Sequence, residues 1–360
     1  GRETGAARSA TPPEARSTMR GVVLPGDRRL EYREVPVPQP GPGQALVRVK
    51  ASGLCGSDLR AIYRPTDQGH GPEAYRGVIA GHEPAGVIEA TGPGVTRFQK
   101  GDRVIVYHIA GCGQCEDCRQ GLMISCTSPK RAAYGWQRDG GHAPYLLAEE
   151  STLIPLPEPL TYVDGALAAC GFGTAWAAIE RARVSGRDTA LITGLGPVGL
   201  ALAMLSQASG ARVLGRDPTP ERRGLAKTLG VDVLDGPDTT EAVKDATNGR
   251  GVEVAFDASG SESARRETLA AARPWARIVW VGEGGTAQFE PSPLLIHKNL
   301  TLMGSWVCSL AQMEELTTFL VSKNLHPQDT VTHRYPLEEA REAYETFDHG
   351  RTGKVVLVFD

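Results

Sequence analysis

Four of the seven cysteines form one short run with metal-ligand spacing, Cys112-x2-Cys115-x2-Cys118-x7-Cys126, with glycines around it. Four thiolates fill the tetrahedral shell that Zn²⁺ prefers and leave no position open for a substrate. The run therefore predicts a structural zinc site in a loop over 111–127. Redox pairing or chance clustering is the alternative, but the absence of an export signal favours reduced thiols.

A glycine-rich run, GLGPVG at 194–199, follows an apolar strand pattern and opens a helical one. Glycines at these spacings allow a tight turn, close approach of the backbone to a pyrophosphate and close helix packing, and the helix N-terminus attracts the anion. A glycine-rich turn without a ligand is the alternative, but the strand, turn and helix together favour a dinucleotide site. The candidate contacts are Gly194, Gly196, Pro197, Val198 and Gly199.

The residues after the next predicted strand bear on which dinucleotide binds. Asp217 lies 18 residues beyond Gly199, where a carboxylate accepts hydrogen bonds from the adenosine ribose and repels a 2′-phosphate. Arg216 could hold that phosphate or be a solvated surface charge, and Arg222 is placed to lie against the same ribose. The sequence therefore favours NAD over NADP.

The interpretation of Cys55 and His82 depends on the motifs that contain them, GLCGSDL (53–59) and GHEPAG (81–86). In isolation, a cysteine is more often a small buried thiol, and a histidine is more often a core residue with satisfied hydrogen bonds. These two motifs, the four-cysteine loop, GLGPVG and Asp217 stand in the order found in the zinc-containing medium-chain dehydrogenase/reductase (alcohol dehydrogenase) family. The chain resembles this family over residues 19–360, and within it the threonine and polyol dehydrogenase-like branch.

The resemblance implies roles for the residues of these two motifs. Cys55 and His82 match two ligands of a catalytic zinc, and Glu83 matches an acid that lies near the metal. Asp58 resembles the carboxylate that orients the ligating imidazole, because an unfixed ring would populate the wrong tautomer. Ser57 resembles the hydroxyl that takes the substrate proton.

The third zinc ligand departs from one branch of the family. In sorbitol-type relatives it is a glutamate, and that position is Ala169 here, whereas the adjacent Cys170 matches the cysteine of the alcohol dehydrogenase type. A small buried residue on an alanine-rich helix is the alternative interpretation of Cys170. We expect Cys170 to be the ligand, with Glu150 or Glu83 the next candidates, and we expect the remaining Cys308 to be buried.

The resemblance also places the nicotinamide near Ser259 and Val281, in a cleft between two domains. Candidate substrate contacts are four loop residues, although plain packing explains them equally well: Tyr63, Trp136, His142 and Trp306. Relatives commonly have a histidine three residues after the relay hydroxyl, where this chain has Arg60. Because arginine does not release its proton, we expect the proton to leave through water or another histidine, with His70, His108 and His142 the candidates.

The elements that position these residues change character along the chain. Short strands alternate with Gly/Pro turns first, at 45–49, 85–90 and 103–107, and an alanine-rich helix over 164–183 follows. Strands at 190–193, 212–215, 231–234, 252–256, 277–281 and 300–303 then alternate with helices, which is typical of a doubly wound parallel sheet. The tail has helical stretches at 313–321 and 337–347 and a strand at 354–359.

The predicted fold is α/β. It has a β-rich, GroES-like catalytic domain over 19–165, a Rossmann cofactor domain over 166–303, and a return to the catalytic domain over 304–360. Residues 1–18 lack apolar periodicity and are expected to be a disordered extension or a tag.

Charged residues make up 22% of the chain and the net charge is −3, so nothing favours a nucleic-acid partner. No apolar run approaches the ~18 residues of a membrane span.

We expect a cytoplasmic homo-dimer or homo-tetramer with two zinc ions per chain that transfers hydride between a secondary alcohol, or its ketone, and NAD. An NADP-linked reductase of a biosynthetic ketone and a non-catalytic nucleotide- and zinc-binding protein are the alternatives.

Overall fold

The chain forms two large sheets, and several of the residues singled out above lie in the segments that directly follow their strands. The computed structural model describes residues 18–360, so the extension predicted over 1–18 lies outside it except for Thr18, which already begins the first strand. The strands are β1 (Thr18–Gly26), β2 (Arg29–Pro36), β3 (Gln44–Gly53), β4 (Glu83–Thr91), β5 (Arg103–Val106), β6 (Ile109–Ala110), β7 (Ala132–Ala133), β8 (Tyr145–Glu149), β9 (Leu153–Pro155), β10 (Thr189–Thr193), β11 (Arg212–Arg216), β12 (Asp232–Val233), β13 (Val252–Asp257), β14 (Ala272–Trp280), β15 (Thr301–Gly304), β16 (Val331–Tyr335) and β17 (Lys354–Val358).

The six-stranded sheet is parallel throughout and has the order β12-β11-β10-β13-β14-β15. Its central strands β10 and β13 are almost wholly buried, as strands covered by helices on both faces must be. The strand order reverses between them, and such a switch point opens a crevice at the carboxyl ends of the strands. The α/β doubly wound fold is therefore confirmed, although β12 is shorter than predicted and β14 begins earlier and ends before Val281.

The seven-stranded sheet has the order β16-β17-β3-β4-β5-β9, with β8 also paired to β3. Only the β16–β17 pair is parallel. Strand β17 returns from the far end of the chain and pairs with β3 next to Cys55, so Val355 O accepts a hydrogen bond from Leu54 N. Another part of the tail packs away from this sheet. Its helix Leu310–Ser322 packs on the helix Gly173–Ala182, which follows Cys170, and the ring centroids of Trp176 and Phe319 are 4.7 Å apart.

The helix predicted over 164–183 is interrupted. Two α-helical segments, Tyr162–Leu167 and Gly173–Ala182, flank a π-helical turn, Ala168–Phe172, that contains Cys170. The other α-helical segments are Gly56–Asp58, Glu116–Arg119, Pro197–Ala208, Pro220–Thr228, Thr239–Ala246, Glu262–Ala270, Leu310–Ser322 and Ala340–Asp348; further π turns are Leu59–Tyr63 and Ser292–Ile296; 3₁₀ turns are Met123–Ser125, Glu150–Thr152, Pro327–Thr330 and Leu337–Glu339. Each helix within residues 18–360 is too short or too polar to span a lipid bilayer.

Candidate metal and cofactor sites

The four-cysteine loop brings its thiols to one point. The sulfurs of Cys112, Cys115, Cys118 and Cys126 all lie within 4.8 Å of one another, and no disulfide joins them. Backbone N–H groups of Gln114 and Cys115 donate to Cys112 Sγ and lower the pKa of that thiol to about 6. The cluster is a closed set of four sulfur donors.

A second donor cluster is formed by Cys55, His82, Glu83 and Cys170, whose ligand atoms also lie within 4.8 Å of one another. Cys170 Sγ is 3.9 Å from Cys55 Sγ and 3.2 Å from His82 Nε2. The π turn therefore places the Cys170 thiol in the cluster. This position argues against the alternative that Cys170 is only a small packing residue on the alanine-rich helix. Glu150 is remote, because its carboxylate accepts hydrogen bonds from the N–H groups of Thr96 and Arg97.

His82 has one ring nitrogen fixed by Asp58. The Nδ1 atom lies 3.0 Å from Asp58 Oδ1, and since a carboxylate only accepts, Nδ1 carries a proton and Nε2 is the ring nitrogen that faces Cys170 Sγ. Burial opposes a charge on the ring, yet the neighbouring Asp58 and Cys55 raise the pKa of His82 well above its usual value. Trp136 Nε1 donates to the same Asp58 oxygen at 2.9 Å, a contact that sequence reasoning missed.

Glu83 is buried and held back by a lysine that sequence reasoning also missed. Its carboxylate contacts Lys354 Nζ, and Gly171 N donates to its Oε1 at 3.2 Å. Both charged side chains are almost fully buried, at 3% and 0% exposure for Lys354 and Glu83. Burial, opposed by the lysine charge, raises the pKa of Glu83 to about 7. The signal available in the sequence was one lysine opening an otherwise apolar strand, KVVLV.

The glycine-rich turn lies at the carboxyl end of β10, at the switch point. Gly194 has a φ of +91°, and a Cβ there would meet Ser259 N at 2.9 Å. A Cβ on Gly199 would lie 1.8 Å from Gly194 O, so helix and strand pack too closely for any side chain. Gly196 caps the twelve-residue helix Pro197–Ala208, whose first N–H groups have no partner within the helix.

Asp217 and Arg216 are held in opposite ways at the end of β11. The Asp217 carboxylate accepts hydrogen bonds from Leu195 N and Thr219 N, both at 2.8 Å, so it lies beside the glycine turn. Arg216 instead donates to Thr239 Oγ1 and to two backbone carbonyls, those of Leu234 and Gly236. Arg222 Nε donates to Thr352 O at 3.0 Å, with its guanidinium near Gly196.

One cavity of about 1190 Å³ joins the second donor cluster to the glycine turn. Of the predicted site residues it is lined by Cys55, Ser57, His82, Cys170, Gly194, Gly196, Pro197, Val198, Asp217, Arg222, Ser259 and Val281. Asp58, Glu83 and Gly199 lie behind this surface. Ser57 Oγ is 3.3 Å from Cys55 Sγ, within the cavity wall.

The other predicted contacts divide between the cavity and the core. Trp136, Trp306 and His108 line the cavity, whereas Tyr63 is packed in the core and does not. The expectation for His142 is also wrong, because this fully buried ring is hydrogen-bonded to Ser52 and Tyr344. His70 is exposed beside Asp67, so among the three proposed proton exits only His108 reaches the cavity. Cys308 is buried, as expected.

Comparison with known proteins identifies two family domains and full-length relatives. Residues 41–158 match the alcohol dehydrogenase GroES-like domain, and residues 197–322 match the zinc-binding dehydrogenase domain. The chain is 47% identical to the uncharacterised zinc-type alcohol dehydrogenase-like protein YphC of Escherichia coli, covering 95% of this chain and 99% of that protein. It is 33% identical to L-threonine 3-dehydrogenase of Pyrococcus horikoshii, covering 91% and 94%. Alcohol dehydrogenase TADH from Thermus sp. ATN1 superimposes with a TM-score of 0.84 at 30% identity, covering 94% and 99%.

Proposed function

The chain belongs to the zinc-binding alcohol dehydrogenase family of oxidoreductases, and from that premise we propose that it transfers hydride between a secondary alcohol, or its ketone, and NAD. The observation that carries this proposal is the shared cavity, in which Cys55, His82 and Cys170 converge at one end and the glycine turn lies at the other. A polyol, an amino alcohol or a sugar-like compound is the proposed class of alcohol.

The donor atoms of the second cluster fit zinc. Two thiols and one imidazole nitrogen are donors that Zn²⁺ prefers, and three protein ligands beside an open cavity leave a position for substrate. Bound there, Zn²⁺ supplies a Lewis acid that lowers the pKa of an alcohol, while the nicotinamide accepts its hydride. Glu83 is a fourth donor next to the cluster, and its carboxylate is held by Lys354. Asp58 fixes the tautomer of His82 in which Nε2 is free to bind the metal.

Proton transfer is assigned to Ser57. Its hydroxyl lies in the cavity wall 3.3 Å from Cys55 Sγ, where it can accept the proton of an alcohol bound at the cluster. Arg60, which stands in the place of the histidine common in relatives, is occupied by Glu283 and does not act as a base. Burial lowers the pKa of His108 to about 3, and its Nδ1 donates to Ala169 O, so this ring is a poor proton acceptor and the proton that Ser57 passes on leaves through water in the cavity.

The adenosine end supports NAD. Asp217 presents a carboxylate beside the glycine turn, whereas Nε and Nη1 of Arg216, which also lines the cavity, are engaged by three protein oxygens, so Nη2 is the nitrogen left for a 2′-phosphate. Gly196 leaves the space at the helix N-terminus open for a dinucleotide, because it has no side chain there. A Cβ at this position would lie 3.2 Å from Arg222 Nη1. These contacts favour two ribose hydroxyls over a phosphate at this end of the cavity.

Turnover with the zinc-loaded protein tests the proposal. Secondary alcohols, including butan-2-ol, threonine and sorbitol, are offered with NAD and with NADP, and cofactor reduction is followed. We expect kcat/KM with NAD to exceed that with NADP by about tenfold or more, which corresponds to one lost charge-assisted contact. Preference for NADP would favour the biosynthetic reductase, and binding of cofactor and zinc without turnover of any alcohol would favour a non-catalytic protein.

A further inference from the structure

A buried arginine lies in the cavity wall outside the sites described so far. Arg131 lines the cavity together with Ile124, Trp136 and Gln137, and only 6% of its side chain is exposed. None of the proposed steps uses it. A guanidinium is seldom buried without anionic partners, because removing its charge from water is costly.

The protein satisfies this guanidinium only in part. Nη1 contacts the carboxylate of Glu73 at 3.2 Å, and Nη2 donates to Ile124 O at 3.1 Å. Nε is buried and has no hydrogen-bond partner among the described residues. Glu73 is the one carboxylate in contact with Arg131 in this part of the chain, and its side chain is 57% exposed. A buried cation thus depends on a single counter-ion that is free to move into solvent.

Arg131 lines the same cavity as the second donor cluster. His82 and Cys170 line this cavity too, and so does His108, whose ring centroid is 5.0 Å from that of His82. A small molecule with its carbinol at the cluster therefore shares the cavity with the Arg131 guanidinium.

We propose that Arg131 is a specificity residue that binds an anionic group of the substrate, a carboxylate or a phosphate, separated by a short carbon chain from the carbinol. The inference rests on the proposed function and narrows its substrate class. The guanidinium has spare N–H groups on both terminal nitrogens, and its planar fork matches both kinds of oxyanion. Glu73 competes with the substrate for Nη1 and so moderates the affinity.

Matched substrate pairs test the inference and separate the two anions. The carboxylate pair is 3-hydroxybutyrate and butane-1,3-diol, and the phosphate pair is ribitol 5-phosphate and ribitol. We expect the zinc-loaded protein to prefer the anionic member of at least one pair in kcat/KM, mainly through KM. Arg131→Gln is expected to reduce that preference about 10- to 100-fold, as loss of a charge-assisted contact does, and Arg131→Lys to restore part of it.

Two further variants make the result decisive. Glu73→Gln removes the competing carboxylate from an exposed side chain and is expected to increase the preference several-fold, even if Arg131→Gln fails to fold. Arg119→Gln is the matched control, because Arg119 is exposed on the neighbouring cysteine loop and does not line the cavity. Equal kcat/KM for both members of each pair, or a Glu73→Gln variant with unchanged preference, would overturn the inference while leaving the proposed function intact. Absence of turnover with all four compounds and with the simple alcohols above would overturn both.

Discussion

Arg60 and Glu283 form an ion pair across the cleft, with Arg60 Nη2 3.1 Å from Glu283 Oε2. Arg60 belongs to the π turn that follows Cys55, and Glu283 follows β14 of the parallel sheet. The arginine stem packs against Gly284, since a Cβ on that glycine would be 3.4 Å from Arg60 Cδ. The residue that replaces the expected proton-relay histidine thus connects the two halves of the site.

Breaking this pair is expected to act on the cofactor and to leave the chemical step unchanged. Both side chains are nearly half exposed, so the pair contributes at most about 1 kcal/mol, or about fivefold in affinity. Arg60→Ala and Glu283→Gln should each raise KM for NAD by that amount at low salt, with little added effect in the double variant. High salt should reduce the difference. A large loss of kcat for Arg60→Ala at saturating NAD would contradict this account.

Metal analysis is expected to give two zinc ions per chain with different lability. The four-cysteine site has no exchangeable position, whereas the cavity site has an open one. Mild chelation should remove one zinc and all activity while the far-ultraviolet circular dichroism is unchanged. A fully loaded protein with one zinc per chain would contradict the prediction.

Cys170 and Cys308 form a matched pair of buried thiols for testing the third ligand. Only Cys170 lies in the donor cluster. Cys170→Ala should lose the catalytic zinc and its activity but keep NAD binding, which depends on separate glycines. Cys308→Ala should keep both zinc ions and its activity. Retention of two zinc ions and normal turnover by Cys170→Ala would place the ligand elsewhere, with Glu83 the remaining neighbour.

Ser57→Ala tests the proton relay. General acid–base steps typically contribute about 10²–10⁴-fold, so alcohol oxidation should slow by a factor in that range. Zinc content should be unaffected, since Ser57 only donates a hydrogen bond to Cys55 Sγ. Ser57→Thr keeps the hydroxyl and serves as the control. An Ala variant with near-normal kcat would assign the relay to another group.

Lys354→Met tests the buried ion pair behind the cluster. Removing the lysine leaves Glu83 buried without its cation, which typically costs about 3–5 kcal/mol where the carboxylate stays charged and less near neutral pH, where its raised pKa lets it take up a proton. Urea unfolding of the zinc-loaded protein should show this loss, and the double variant Lys354→Met/Glu83→Gln should recover most of it. If the double variant is as unstable as the single one, the lysine acts through packing and its charge is not the cause.

Local signals in the sequence predicted the fold and the motif residues well. Gly194 and Gly196 lie between the predicted strand and the predicted helix, Gly199 lies in the first turn of that helix, and the family assignment and α/β class are confirmed. Strand ends were less accurate: β12 keeps only Asp232–Val233. The extension of β14 back to Ala272 passes through Trp275 at a φ of +70°, a conformation that no propensity for tryptophan indicates.

Contacts between distant segments were beyond the reach of sequence patterns. A lysine at a strand start is normally solvated. Lys354 is buried because β17 pairs with β3, the strand that leads to Cys55, and this pairing brings the lysine into contact with Glu83. The hydrogen bond from Trp136 to Asp58 depends on the path of the loop after β7, which no local pattern indicates. The burial of His142 is unpredictable for the same reason, because its partners Ser52 and Tyr344 come from β3 and a tail helix.

The pairing of β17 with β3 also sets an order of assembly during synthesis. The parallel sheet is contiguous, from β10 to β15, and can fold as soon as it has emerged, whereas the Ala51–Gly53 end of β3 waits about 300 residues for β17. At ~5–20 residues per second this delay is roughly 15–60 s. During that interval β4 and β8 can already pair with the rest of β3, but its last three residues lack their partner and Glu83 has no lysine. The segment that leads to Cys55 is therefore completed only when translation has passed Val358, 54 residues after the end of β15.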